Sequence, residues 1–177
     1  KSEQVVRGEA ATAPDDPTPP AEGQVFYGWS PAVFSDIASD LDVTAVYGPT
    51  VREVASREDF ESAITALPAV ATLRLTADLD FADAVYMPPV LRGTVDGNGH
   101  VIANLTTALF ETVSGGTVKD LTLRTSRREH TGYNQKGGLL ANRLEGATVS
   151  GVTVEDGVFT SQKSLCGLAT IAYWAMP

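Results

Sequence analysis

Apolar and polar residues alternate in the first fifty residues with a period of two, and this pattern predicts strands. In the stretch DLDVTAVYG, Leu41, Val43 and Tyr47 lie on one face, as a strand with one buried side requires. The stretch QVFYGWS is also rich in strand-forming residues, and its Phe26 and Trp29 are expected to supply much of a small core. Residues 1–48 are therefore predicted to form a small β-rich module.

A different period follows in ASREDFESAITALP, where the spacing predicts a helix. Ser56 can cap its N-terminus, and Asp59 occupies the third helical position of a capping box. Phe60, Ile64 and Leu67 form one apolar stripe, and the proline that follows ends the helix. We expect residues 49–70 to be a linker and a helix that caps the β-rich run after it.

From residue 71 the chain repeats short strand-like segments separated by glycine turns. SGGTVKDLTL and EGATVSGVTV superpose with an offset of 31 residues, and VIANL also matches TVKDL at an offset of 16 residues, so that Ile102 falls on Val118. Each segment has too few apolar residues to form a core by itself, but segments that stack as coils can form one continuous apolar interior. Residues 71–177 are therefore predicted to be the first coils of a parallel β-helix, a β-solenoid. A β-sandwich is the alternative, although it does not require this recurrence in register.

Two family resemblances agree with these predictions. GEAATAP, DPT, FYGWS and ASDLDVTAVY, in this order, resemble the internalin-type B-repeat of bacterial surface proteins. This resemblance implies a β-grasp-like spacer or adhesive unit. Modules of that family normally start with one further strand, which would lie before Lys1 of this sequence.

The later segments resemble a second family. GTVDGNGHVIANLT, LFETVSGGTVKDLTL and GGLLANRLEGATVSGVTV are similar to the GLUG-motif β-helices of secreted and surface-attached bacterial proteins. This resemblance implies a right-handed parallel β-helix, an extracellular or cell-surface location and further domains in the same polypeptide.

Charge and composition narrow the function classes. The chain has 22 acidic and 13 basic residues and a formal net charge of −9, which disfavours nucleic acid as a partner. No apolar run is long enough to span a membrane, so no membrane insertion is expected. The single Cys166 is expected to be a small buried apolar residue, and the two histidines, His100 and His130, have no metal-ligand or triad spacing. The sequence predicts no metal and no cofactor.

Three carboxylates are the candidates for catalysis, namely Asp78, Asp80 and Asp96. They come from adjacent coil-like segments, and some β-helix enzymes cleave polysaccharides with carboxylates placed in this way. Asp78 and Asp80, however, alternate with apolar residues and are expected to point outward or to close a turn. Asp96 begins DGNG, a sequence typical of corners with positive backbone φ angles. A structural role is therefore favoured over catalysis.

A basic segment, RTSRREHTGYNQKGG, interrupts the repeat at an expected coil corner, where solenoids place binding loops. It is the candidate contact site for a host or bacterial glycan or for an acidic protein surface, and a solvated loop without a ligand is the alternative. Its candidate binding residues are Arg124, Arg127, Arg128, His130, Tyr133 and Lys136.

Two functions remain after these observations. The first is a non-catalytic fragment of a modular surface or secreted protein, which acts as a spacer and an adhesin-like scaffold. The second is an accessory region of an extracellular enzyme, because GLUG-type regions also occur in immunoglobulin A1-cleaving metallopeptidases, and other β-helices degrade polysaccharides. The first is preferred because the chain has no metal-ligand motif and no nucleophile constellation.

Overall fold

The computed structural model describes residues 3–130, 137–161 and 172–173, and these residues are mainly β with one helix. The chain divides into an N-terminal unit, Lys1–Thr50, and a C-terminal unit, Val51–Pro177. The predictions for Cys166, Tyr133 and Lys136 lie outside the described residues.

The N-terminal unit contains an antiparallel pair of strands, β1 (Gln24–Ser30) and β2 (Thr44–Pro49), with Phe26 opposite Tyr47. The ring of Phe26 meets the rings of Trp29 and Tyr47 edge to face, with centroids 5.3 and 6.0 Å apart. These aromatic side chains are half-buried, and none of the described residues of this unit is fully buried. The β-grasp-like architecture remains a prediction for this unit.

The C-terminal unit contains the described helix and the remaining described strands. In chain order these elements are β3 (Val51–Val54), α1 (Arg57–Thr65), β4 (Thr72–Leu75), β5 (Leu79–Asp80), β6 (Val90–Leu91), β7 (Thr94–Asp96), β8 (Val101–Ala103), β9 (Phe110–Ser114), β10 (Thr117–Arg124), β11 (Arg127–His130), β12 (Ala141–Glu145), β13 (Thr148–Glu155), β14 (Val158–Ser161) and β15 (Ala172–Tyr173).

Every described strand pair of the C-terminal unit is parallel, and the partners come from successive passes of the chain. One sheet has the order β3-β4-β7-β10-β8-β5, with β13 also paired to β10; a second has the order β15-β12-β9-β6; β11 and β14 form the third. β3 was not predicted from sequence, and its pairing with β4 places part of the expected linker, residues 49–70, in this sheet.

The 31-residue repeat correctly predicts the pairing of β10 with β13. Thr117 pairs with Thr148, Val118 with Val149, and Leu123 with Val154. The match at 16 residues is not a pairing, because Ile102 lies beside Leu123 rather than Val118. The reason is that β10 bends at Asp120, so that its first half pairs with β7 and its second half with β8.

The helix α1 begins and packs as its sequence predicts. Ser56 is the N-cap, and its hydroxyl oxygen accepts a hydrogen bond of 3.1 Å from the Asp59 backbone N–H. Phe60 and Ile64 are buried, and Leu67 is packed against the same core. The helix lies against β3 and β4, where it covers apolar side chains next to the edge strand of this sheet.

The core of the C-terminal unit consists of rows of inward side chains from successive strands. One row is Leu73, Val95 and Val118, and a second is Leu79, Ile102 and Leu123; all six side chains are buried. Among the described residues, the last strand of each row is β13, where Val149 is half-buried and Val154 is 37% exposed. Each described strand of these rows therefore depends on its neighbouring strands for burial.

Candidate functional site

Asp96 is held between two cations on neighbouring strands. Arg74 of β4 and Lys119 of β10 are its register partners on either side. The Asp96 Oδ2 atom lies 2.9 Å from the Lys119 Nζ and 3.4 Å from the Arg74 Nε. The carboxylate is only 6% exposed, whereas both cationic side chains keep about 40% of their surface in water. This row is a polar contact between three successive strands.

The pKa of Asp96 reflects two opposing influences. Burial by itself raises the pKa of this carboxyl, but hydrogen bonds from Lys119 and from the Asn98 backbone N–H outweigh it, so that the pKa lies below its ordinary value. Asp96 is therefore ionised at neutral pH, and it is poorly suited to act as a general acid there.

The DGNG stretch forms a corner that is hydrogen-bonded to β10. The Gly97 N–H donates to the Lys119 carbonyl oxygen, and the Gly99 N–H donates to the Asp120 carbonyl oxygen, both at 2.8 Å. Asn98 has a φ angle of +51°, and Asp120 in the next coil has a φ angle of +52°. The corner therefore repeats the same left-handed turn, which is the role that its sequence predicts.

Asp78 and Asp80 also contact residues of the next pass of the chain, in and beside β8. The Asp78 Oδ1 atom accepts from the Val101 backbone N–H at 2.9 Å and lies 3.1 Å from the His100 Nδ1. The Asp80 Oδ1 atom accepts from the Asn104 side-chain amide at 2.8 Å and from the Ala82 N–H at 2.9 Å.

These contacts also set the pKa values of the two exposed carboxyls. The Val101 N–H and then His100 lower the pKa of Asp78, and the Asn104 amide and then the Ala82 N–H lower the pKa of Asp80. No hydrogen bond joins Asp78, Asp80 and Asp96 to one another in the described part of the chain. Each carboxylate instead binds a neighbouring strand or its own turn.

The residues of the basic segment lie in different strands and differ in burial. Arg124 ends β10, and its Nε atom lies 2.8 Å from the Glu155 Oε2 atom of its register partner. Arg127–His130 form β11 rather than a loop, because they pair in parallel with Val158–Ser161 of β14. Arg127 is exposed, whereas Arg128 is buried. The side chain of His130, like Tyr133 and Lys136, is outside the described part.

Arg128 is a structural contact rather than a side chain presented to solvent. Its Nη1 atom donates to the Gly138 carbonyl oxygen at 2.8 Å and to the Asn142 Oδ1 atom at 2.6 Å. Asn142 in turn donates to Glu111. Burial lowers the pKa of Arg128, which nearby Glu111 counteracts. Arg128 is therefore buried and bound within the chain, and its role as a candidate binding residue stays a prediction.

Sequence reasoning missed several partners at these positions. The relation of Arg74 and Lys119 to Asp96 becomes visible only when β4, β7 and β10 are aligned in register. The pairing of Arg128 with Asn142 spans a segment of irregular length, for which the repeat gives no register.

We expect the Asp96→Ala change to lower the free energy of unfolding by about 1–2 kcal/mol at neutral pH, because the two cations lose their shared carboxylate. Since the pKa of folded Asp96 is lowered, its stabilisation is present above the ordinary carboxyl pKa and is lost as pH falls through the folded pKa. Denaturant unfolding at neutral and acidic pH measures this effect, with Asp96→Asn as the uncharged control of similar shape. A stability difference that does not shrink in acid would contradict this role.

We expect the Arg128→Met change to cost about 2 kcal/mol, since it leaves the buried acceptors at Gly138 and Asn142 without their donor. Arg92→Met is the matched control, because Arg92 is exposed and its change should stay within about 0.5 kcal/mol. Thermal unfolding of the two variants measures the difference. Equal stabilities would show that the Arg128 contacts contribute nothing.

Among the described residues, no group of three or more His, Cys, Asp or Glu side chains could hold a metal ion. In the same part of the chain, no helix is long and apolar enough to cross a membrane.

The fold and these contacts define a mainly β protein, and every described strand pair of its C-terminal unit is parallel. Within that unit, residues 75–156 match the model of the M26 IgA1-specific metallo-endopeptidase N-terminal region. The match runs from the end of β4 to the residue after β13 and covers less than half of the chain. No curated protein and no solved structure matches the chain significantly.

Proposed function

We propose that this chain is a non-catalytic accessory region of an extracellular metallopeptidase of the immunoglobulin A1-cleaving kind. The observation that carries this proposal is the match of residues 75–156 to the N-terminal region of such peptidases. The matched residues include β5 to β13, which form most of the parallel stack, so the similarity concerns the scaffold itself.

The scaffold in this proposal is the start of a parallel β-helix. Three features support it: the parallel pairing of successive passes, the continuous buried rows, and the corners that recur in register. At one corner Asn98, Asp120 and Gly151 have φ angles of +51°, +52° and +59°, and at another Gly115 and Gly146 have +67° and +57°. A sandwich would bring strands together by antiparallel pairing, which the described strand pairs of this unit do not show.

The N-terminal unit is proposed to be the β-grasp-like spacer that its B-repeat resemblance implies. In this proposal it separates the β-helix from other parts of a secreted or surface-attached bacterial polypeptide. An extracellular location is supported by the kind of peptidase matched, because an immunoglobulin is met outside the cell.

The non-catalytic part of the proposal is supported by the state of the three candidate carboxylates. Asp96 is ionised, buried and bound by Lys119, while Asp78 and Asp80 accept hydrogen bonds from Val101 and Asn104 of the next coil. All three therefore already have a structural role, which explains their presence without catalysis.

The complete reading frame that contains this chain tests the proposed function. We expect it to encode a zinc-binding HExxH helix, in which two histidines one turn apart bind the metal and the glutamate acts as general base. A wall-sorting signal without such a motif would overturn the peptidase proposal and favour the spacer and adhesin-like scaffold.

An activity assay tests the non-catalytic part separately. The purified chain, incubated with immunoglobulin A1 and with a panel of polysaccharides, is expected to cleave none of them. Turnover that disappears in Asp78→Ala, Asp80→Ala or Asp96→Ala would show that the carboxylates are catalytic.

A further inference from the structure

Asn98 and Gly99 form an exposed asparagine–glycine pair at the corner between β7 and β8. A glycine after asparagine leaves its backbone nitrogen unhindered, because there is no Cβ beside it. We propose that Asn98 is a site of spontaneous covalent modification by water, and that contacts of the stacked corner control the rate of this modification.

The reaction proceeds in two steps that need only water. The Gly99 backbone nitrogen attacks the Asn98 Cγ atom, a bond forms between them, the Cγ–Nδ2 bond breaks, and the amide nitrogen leaves as ammonia with the proton from Gly99. Water then adds to one of the two carbonyl carbons of the resulting succinimide and opens the ring. The product at position 98 is aspartate or isoaspartate, according to which bond is hydrolysed.

The corner holds both reacting groups in hydrogen bonds. The Asn98 side-chain Nδ2 atom donates to the Leu75 carbonyl oxygen of the preceding coil at 3.2 Å. The Gly99 N–H donates to the Asp120 carbonyl oxygen of the following coil at 2.8 Å. The Asn98 N–H also donates to the Asp96 Oδ1 atom at 2.9 Å. These hydrogen bonds must break before the Gly99 nitrogen can attack the Asn98 Cγ atom. The rate of modification therefore depends on how often the corner opens.

Modification would weaken the corner that restrains it. Aspartate at position 98 replaces the amide donor with a carboxylate that faces the Leu75 carbonyl oxygen. Isoaspartate also lengthens the main chain by one atom between the residue-98 Cα and the Gly99 nitrogen, which shifts the Gly99 N–H away from the Asp120 carbonyl oxygen that accepts its hydrogen bond. We therefore expect each modified molecule to have a less stable contact between these coils.

The experiment incubates the full chain in mildly alkaline buffer, with and without guanidinium chloride, and measures modification by peptide mass spectrometry and isoaspartate detection. Asn104 is the internal control, because its φ angle is also left-handed at +61° but leucine follows it. We expect Asn98 to be modified at least about tenfold faster in denaturant than in native buffer. Within the unfolded chain, Asn98 should react faster than Asn104.

A variant separates the effect of the fold from local sequence chemistry. Asp96→Ala removes the acceptor of the Asn98 N–H but keeps the Asn98–Gly99 pair. It is expected to accelerate modification in native buffer and to leave the rate in denaturant unchanged. Equal rates for the unmutated chain in the two conditions would overturn control by the corner. Equal rates at Asn98 and Asn104 in denaturant would overturn the assignment of Asn98 as the reactive site.

Discussion

Replacing Leu123 by alanine is expected to lower the free energy of unfolding of the C-terminal unit by about 3 kcal/mol. Leu123 is fully buried between Ile102 of the preceding coil and Val154 of the following one. Truncation leaves a cavity in the middle of an inward row, and neighbouring strands cannot close it without breaking their parallel pairing.

The matched control is Val154→Ala in the same row. Val154 is the register partner of Leu123 but is 37% exposed, so its truncation is expected to cost less than about 1 kcal/mol. Denaturant unfolding followed by circular dichroism measures both changes. Similar costs at the two positions would mean that the rows are not a continuous core.

Replacing Gly97 by alanine is expected to cost about 2–3 kcal/mol for a different reason. A Cβ atom at this position would lie 2.6 Å from the Leu121 Cα and would also collide with the Asp120 carbonyl oxygen. Both are main-chain atoms of the next coil, so a change of rotamer cannot relieve the contact. The corner would have to separate from β10.

Gly99→Ala is the control within the same corner. A Cβ at Gly99 meets no atom within 4 Å, but the φ angle of +80° makes alanine strained there, at a cost of about 1 kcal/mol. Thermal unfolding of the two variants compares the stability lost through steric crowding at Gly97 with the stability lost through backbone strain at Gly99. If Gly99→Ala were the more harmful change, close stacking of the corner on β10 would be ruled out.

The sequence predicts elements well where local signals and repeats coincide. The cap and apolar stripe of α1 depend on residues within three turns of helix, and the structure confirms them. The pairing of β10 with β13 follows from positional identity at 31 residues, and it too is confirmed. The helix can be predicted from one short stretch of sequence, and the strand pairing can be predicted from the comparison of two such stretches.

Other contacts join residues that are far apart in the sequence, so no short stretch of it predicts them. Ile102 matched Val118 because both begin short apolar phrases, but the bend at Asp120 places Ile102 beside Leu123. Arg128 was named as a candidate binding residue because of its charge, and nothing in the sequence indicated the hydrogen bonds to Gly138 and Asn142 that accompany its burial.

The partners of the candidate carboxylates could not be predicted from the sequence either. The DGNG stretch indicated a corner correctly, but the partners of Asp96 could not be known before the strands were in register. Once Arg74 and Lys119 lie on either side, the carboxylate has a stabilising role in the stack. The sequence could therefore identify the residue and its turn, but not its interactions.

Disulfide pairing between coils is the most direct test of the stacked parallel scaffold. In a Cys166→Ser background, cysteines replace Thr117 and Thr148, which are register partners on the outer face. Paired strands lie about 4.8 Å apart, within the Cα separations that a disulfide spans. A control chain carries cysteines at Thr117 and Val149, which point to opposite faces. We predict rapid intramolecular oxidation of the first pair and little of the second. Preferential oxidation of the control pair would contradict the stacked register.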